Sequence, residues 1–233
     1  MKITRLSSFL YNLANCFLAV VLFVALLPLF LLACLLVKLD SHGMLFYTQE
    51  RYGKDKKIFK IYKFRTMKQG AEKNNFPIWG DEDDHRSSKI GRFLRVSHID
   101  EFPQLFNILK GEMSFVGPRP ERSYFAEKFK FSIPNYEDRY KVKAGITGWS
   151  QINGWRGDSS VAKRTELDIF YIKNRSLLFD LKILLMTPFA KPVVSPKENF
   201  DKKESYSDVL TFSQLGDEVL CESKPLKVPI ANA

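Results

Sequence analysis

The 233-residue sequence predicts an α+β protein: an N-terminal re-entrant membrane helix, a small strand hairpin, and a compact helical domain with interfacial amphipathic helices. Three observations predict it. An uncharged apolar run fills Phe17 to Val37. Two segments with strand-like alternation, Leu45 to Arg51 and Lys57 to Met67, flank a turn-rich link, Tyr52-Gly-Lys-Asp-Lys56. After them, apolar residues recur at helical spacing. The boundaries that follow are 1–40 for the anchor, 41–195 for the main domain and 196–233 for a polar tail.

The apolar run of 21 residues is long enough for ~30 Å of hydrocarbon. It is too long for a signal peptide and lacks a small-x-small cleavage site. Pro28 sits near its middle, where it removes a helix hydrogen bond and favours a kink. Both flanks are basic, Lys2 and Arg5 before and Lys38, Arg51 and Lys54 after, which favours both ends on the cytoplasmic side. A kinked helix that dips into one leaflet satisfies both observations. A straight span also tolerates a proline.

Charge is unevenly placed. From Glu198 onward seven acids oppose four bases, so the tail is −3 and the first 197 residues are +13 of the overall +10. A basic body suits an anionic partner: phosphates, nucleic acid or an anionic membrane face. Cys16, Cys34 and Cys221 form no disulfide or zinc pattern, which argues against a disulfide-stapled secreted fold.

In the second strand, alternation puts Lys63 and Arg65 on one face, either as solvated bases or as a phosphate-binding pair. The polar loop from Gln69 to Ser88 contains Asp81-Glu-Asp-Asp84, four acids that are solvated or hold a divalent cation. The loop ends at Lys89-Ile-Gly-Arg-Phe-Leu-Arg95 and leads into the central stretch. There Asp100 and Glu101 precede an amphipathic helix, with Pro103 in its first turn and Phe102, Leu105, Phe106 and Leu109 on one face. Asp100 reads as an N-cap and Glu101 as a first-turn acid, or both as reactive carboxylates kept ionised by the helix dipole. Gly111 stops the helix. In Gly117-Pro-Arg-Pro120 two prolines stiffen the chain around Arg119, which makes either a rigid turn or a preorganised anion clamp.

Further on, Ala144 to Gly157 is rich in glycine and tryptophan, with Gln151, Asn153 and Arg156 as candidates for hydroxyl or phosphate contacts. Trp149 suits a stacking surface, a membrane interface or the core. Val161 to Asn174 has helical spacing. Leu177 to Met186 is too short to span and reads as core or as an interfacial helix. Beyond 196 the composition suits a mobile tail with a short helix from Phe212 to Leu220.

Six ordered motifs then carry a resemblance: Gln49-Glu-Arg51, Lys63-Phe-Arg-Thr-Met67, Gly91-Arg-Phe-Leu-Arg95, Asp100-Glu-Phe-Pro-Gln-Leu-Phe-Asn107, Val116-Gly-Pro-Arg-Pro120 and Gly145-Ile-Thr-Gly-Trp-Ser-Gln-Ile-Asn-Gly154. Over about residues 10 to 190 the chain closely resembles the bacterial sugar transferase family, the monotopic polyprenyl-phosphate glycosyl-1-phosphate transferases. The resemblance implies an enzyme of the bacterial inner membrane, with its catalytic domain on the cytoplasmic face. It would move hexose-1-phosphate from a UDP-sugar to undecaprenyl phosphate and release UMP, the first membrane step of exopolysaccharide, capsule or O-antigen synthesis. By the same resemblance Asp100 is the nucleophile that forms a covalent phosphosugar, and Glu101 binds Mg²⁺. Lys63, Arg95 and Arg119 handle phosphate, and the Pro28 anchor is re-entrant. Leu27 stands where the family often has Ser, so a hydroxyl that would serve the kink is lost. The Asn153-Gly-Trp-Arg-Gly157 ending is similar to the branch that transfers glucose- or galactose-1-phosphate. An acetamido sugar, an inactive membrane scaffold, and a tethered protein docking anionic lipid or nucleic acid are the rival readings. Nucleic acid is not among the expected partners of the leading one.

Overall fold

The computed structural model describes residues 5–40, 42–67, 86–157 and 159–191. The Asp81–Asp84 acids and the 196–233 tail, with its expected helix near Phe212, lie outside the described residues. The protein is mixed helix and strand, as expected for α+β.

The apolar run forms two helices, α1 (Arg5–Ala25) and α2 (Leu27–Asp40), bent by 65° at Leu26. The bend falls where Pro28 lacks an N–H and its ring crowds the preceding turn. The bonds on either side, Leu26 N–H to Leu22 and Phe30 N–H to Leu26, are intact at 2.9 Å. No single described helix is long and apolar enough to cross a membrane, whereas the bent pair is by length and composition. Its inner angle holds aromatic rings: Phe23 and Phe30 meet each other and Phe106, and Phe30 also meets Phe46 and Phe64. Its outer surface leaves Phe17, Val24, Leu31, Leu35 and Leu39 exposed.

The hairpin is β1 (Phe46–Tyr52) and β2 (Ile58–Phe64), antiparallel, with Gln49 opposite Ile61. Phe59 and Ile61 are buried on one face of β2, and Phe64 is buried on the other, where α2 covers the strand. Lys63 therefore lies on the face of Phe59 and Ile61, turned toward the core.

Two structures were not expected. Lys89–Val96 is a helix, α3, capped by the Ser88 hydroxyl, which accepts from Gly91 N–H at 2.8 Å. Gly91 is needed there because a Cβ would come within 2.0 Å of the Thr66 carbonyl oxygen. The second is a parallel pair, β3 (Met113–Val116) with β4 (Ala144–Thr147). Gly117 N–H donates to Thr147 O and Gly145 N–H to Pro118 O, and a Cβ on Gly145 would stand 2.1 Å from Gly117 N. Between the two strands run α5 (Ser123–Ser132) and a 3₁₀ turn at Tyr136–Lys141.

The central helix is shorter than the sequence suggests. α4 spans Gln104–Leu109 with Pro103 at its N-cap position, and Ile99–Glu101 form a separate 3₁₀ turn before it. Asp100 is therefore not the helix cap. After β4 come α6 (Trp149–Ile152), α7 (Val161–Asn174) and α8 (Leu177–Met186). Trp149 joins the core, 4.9 Å from Phe179 and 6.0 Å from Phe170 between ring centroids. In α8, Asp180 and Ile183 face inward while Leu177, Leu178, Leu181 and Leu185 are exposed.

Candidate active site

The site begins with a backbone turn. His98 adopts a left-handed conformation (φ 56°), uncommon for a residue with a side chain, and reverses the chain after α3. The 3₁₀ turn that follows directs both carboxylates inward, leaving Asp100 6% and Glu101 8% exposed.

The two carboxylates have different company. Glu101 Oε1 accepts from Lys63 Nζ at 2.7 Å and Arg119 Nη2 at 2.6 Å, and Oε2 accepts from Arg119 Nη1 at 3.3 Å. Asp100 Oδ2 lies 3.8 Å from Lys63 Nζ. Burial raises both, but around Glu101 the Arg119 and Lys63 charges and hydrogen bonds outweigh it and hold the carboxyl well below its usual range. Asp100 goes the other way: burial pushes it up to about 6, Glu101 adds to the rise, and Lys63, Arg119 and Arg95 offset only part of it. The dipole expected to keep Asp100 ionised is weak here, because the helix is six residues long and starts at Gln104. Two adjacent acids pushed apart in this way suit two different roles, one fixed as an anion and one reactive.

The clamp is braced from several elements. Asn107, fully buried on α4, accepts from Tyr62 N–H at 3.0 Å and donates to Lys60 O at 2.7 Å, tying the helix behind the dyad to the strand that carries Lys63. Arg139 donates to Arg119 O and to Asp168 Oδ2, each at 2.9 Å, and Ser150 Oγ donates to Asp168 Oδ1 at 2.7 Å. Arg51 donates to Pro120 O at 2.9 Å. The backbone that carries and follows the Arg119 side chain is thus held by two guanidiniums, and Glu101 keeps the Arg119 guanidinium firmly protonated.

Of the residues expected from sequence, the structure brings together Asp100, Glu101, Lys63 and Arg119. Arg95 donates through Nε to Thr66 Oγ1 at 3.0 Å and contributes to the field at Asp100. Arg65 takes a different partner from Lys63, donating to His42 O at 3.0 Å beyond the end of β2. Gln151 donates to Ile146 O and Asn153 to Trp149 O, both within their own loop. Arg156 reaches the site through its charge on His98, whose imidazole burial lowers. Pro28 sits at the helix bend, away from this centre. Asn107, Arg139 and Asp168 are not among the residues expected from sequence: Asn107 lies within the Asp100–Asn107 motif, whereas Arg139 and Asp168 carry no local signal.

Among the described residues no group of three or more His, Cys, Asp or Glu could hold a metal. The donor set left is the dyad. A carboxylate offers about four lone-pair positions, and Glu101 uses three, the weakest on Oε2 at 3.3 Å. One position remains. That fits a hard cation such as Mg²⁺, which takes one or two carboxylates and fills its shell with water and phosphate oxygens.

Comparison with known proteins adds to this picture. A family model described as bacterial sugar transferase matches residues 6–192. A UDP-glucose:undecaprenyl-phosphate glucose-1-phosphate transferase of Escherichia coli K12 is 43% identical over 74% of this chain and 38% of its own length. A UDP-N-acetylgalactosamine-undecaprenyl-phosphate N-acetylgalactosaminephosphotransferase of Aeromonas hydrophila is 41% identical over 69% of this chain and 38% of its own. A putative undecaprenyl-phosphate N-acetylgalactosaminyl 1-phosphate transferase of Bacillus subtilis is 50% identical over 48% of this chain and 63% of its own. The chain spans little more than a third of the first two of these relatives.

Proposed function

The chain belongs to the bacterial sugar transferase family, and from that premise we propose that it is a membrane-associated phosphoglycosyl transferase that moves hexose-1-phosphate from a UDP-sugar to undecaprenyl phosphate. The observation that carries the reading is the split dyad: the Asp100 carboxyl is buried and raised, and its neighbour Glu101 is clamped by Lys63 and Arg119.

Phosphoryl transfer asks for charge neutralisation and in-line placement more than for acid–base work. Asp100, ionised, attacks the phosphorus that bears the sugar. The bond from that phosphorus to the bridging oxygen breaks, and UMP leaves with the electron pair. The aspartyl phosphosugar then accepts attack by a phosphate oxygen of undecaprenyl phosphate, which forms the lipid diphosphosugar and frees Asp100. Lys63, Arg119 and Arg95 neutralise the oxygens around the phosphorus, and Arg139 and Arg51 keep Arg119 aimed. Glu101 would hold Mg²⁺, which when bound would supply Lewis-acid charge to the phosphate oxygens.

The acceptor is a lipid, and the surface suits one. The bent α1–α2 pair and the outer face of α8 expose rows of leucine, valine and phenylalanine beside basic flanks, as expected of a re-entrant anchor on the cytoplasmic face of the inner membrane. Membrane-impermeant labelling of single cysteines at residues 3 and 55 checks this: both react from the cytoplasmic side in inverted vesicles, and labelling from opposite sides means a spanning helix.

Glucose- and N-acetylgalactosamine-transferring relatives are comparably similar. An acetamido sugar is therefore the second reading, against which the Asn153-to-Gly157 sequence favours a plain hexose. Incubating the protein with UDP-glucose, UDP-galactose or UDP-N-acetylgalactosamine, Mg²⁺ and undecaprenyl phosphate decides between them by UMP release. Release from a hexose donor supports the assignment, and no release from any donor rejects the activity.

A further inference from the structure

A cavity of about 180 Å³ opens beside the dyad, and among the described residues its wall carries Arg51, Lys63, Arg119, Arg122 and Arg164 with the carboxylate of Glu121. It has room for a phosphoryl group and opens to solvent, where the rest of a larger ligand can extend. The nearby carboxylates are already engaged: Glu121 accepts from Arg164 Nη1 at 2.7 Å, and Glu101 is held by Lys63 and Arg119. Among the described residues five cations line this space, with Glu121 in its wall and Glu101 and Asp100 beside Lys63.

The cluster is assembled, not incidental. Arg51 comes from β1, Arg122 from the start of α5 and Arg164 from α7, and the backbones of Arg51 and Arg122 pair in an isolated antiparallel bridge. Arg51 donates to Pro120 O and Gln49 Oε1, while its Nε is buried without a partner. Burial, joined by repulsion from Arg119 and Arg122, lowers its guanidinium to about 10 despite Glu121. Crowding buried like charges costs stability, and a bound anion relieves that cost. Guanidinium forks fixed in this way suit the tetrahedral oxygens of a phosphate.

Lys63 and Arg119 face both the cavity and Glu101, so an anion in the cavity sits next to the phosphorus under attack. In a nucleoside diphosphate sugar that neighbour is the phosphate that departs with the nucleoside, and it gains charge as the bridging bond breaks. We propose that Arg51, Arg122 and Arg164 form the subsite for this leaving phosphate, so that the cavity holds the nucleoside 5′-monophosphate end of the donor. The proposal rests on the phosphotransfer reading above.

Calorimetric titration of the full chain in detergent with UMP, and separately with uridine, tests it. UMP binds the wild type and uridine does not. Arg122→Gln and Arg51→Lys each weaken UMP binding about tenfold, ~1.4 kcal/mol, with folding checked by thermal unfolding. Unchanged UMP affinity in both variants overturns the subsite, as does a wild type that binds no UMP or binds uridine as tightly. UMP release from UDP-glucose in the same samples separates the two claims. Arginine-dependent UMP binding without turnover keeps the subsite and rejects the reaction, whereas turnover with arginine-independent binding does the reverse.

Discussion

Replacing Asp100 with asparagine should abolish transfer and at the same time stabilise the fold. Burial moves the Asp100 carboxyl from an ordinary 3.8 to about 6. At 1.36 kcal/mol per tenfold, the ionised form costs the folded state about 3 kcal/mol at neutral pH. Asparagine keeps the shape and removes the charge. For a chain of this size each kcal/mol moves Tm by ~2–4 °C, so Asp100→Asn should melt about 6–12 °C higher at pH 7.5. The sign follows from the raised folded-state pKa. The penalty is fully present above about 6 and is lost as pH falls from there through 3.8, so the gap should shrink to about half at pH 5 and about a fifth at pH 4. Thermal unfolding in detergent, followed by tryptophan fluorescence at several pH values, reads both effects. A variant less stable than wild type at pH 7.5, or a gap that does not change with pH, refutes the assignment of Asp100 as a buried, costly anion.

Three further outcomes follow from the same geometry. Because Asp100 must be ionised to attack, single-turnover UMP release should fall as pH drops through about 6, and added Mg²⁺ beside Glu101 should move that limb lower; a limb near 4 at limiting Mg²⁺ contradicts it. Asn107→Leu leaves Tyr62 N–H and Lys60 O unpaired and should cost about 3 kcal/mol in denaturant unfolding, together with a loss of turnover as Lys63 shifts; a cost below about 1 kcal/mol contradicts the bracing role. Arg139→Met strands a buried Asp168 carboxylate and should cost about 3–5 kcal/mol. Adding Asp168→Leu should restore much of the stability but not the activity, because Arg119 O has lost its donor; recovered turnover in the double variant argues against that role.

What the sequence made legible was local. Pro28 marks the helix bend because a missing N–H acts within one turn. The β1–β2 hairpin follows from alternation and a polar turn. The conjunction of Asp100, Glu101, Lys63 and Arg119 came from ordered motifs, and the structure gathers these four side chains. The losses were non-local. The β3 and β4 strands are four residues each, buried throughout β3, and pair across about thirty residues, so neither alternates visibly. α3 carries Gly91 inside it for the sake of a contact with Thr66, which the helical pattern alone cannot announce. The backbone reversal at His98 converts an expected cap into a buried turn, and burial then raises the Asp100 carboxyl where a helix dipole was expected to lower it. Arg65 falls one residue past β2, where strict alternation no longer fixes its direction.

The most direct measurement is an acceptor-free one. The protein is mixed with excess UDP-hexose and Mg²⁺ without undecaprenyl phosphate, then analysed for UMP and by intact and peptide mass spectrometry. The expected result is a burst of one UMP per chain and a phosphohexose adduct on the peptide containing Asp100, absent from Asp100→Asn and discharged when the lipid phosphate is added. UMP appearing only with the lipid present, with no adduct on the wild-type chain, would contradict Asp100 as the nucleophile.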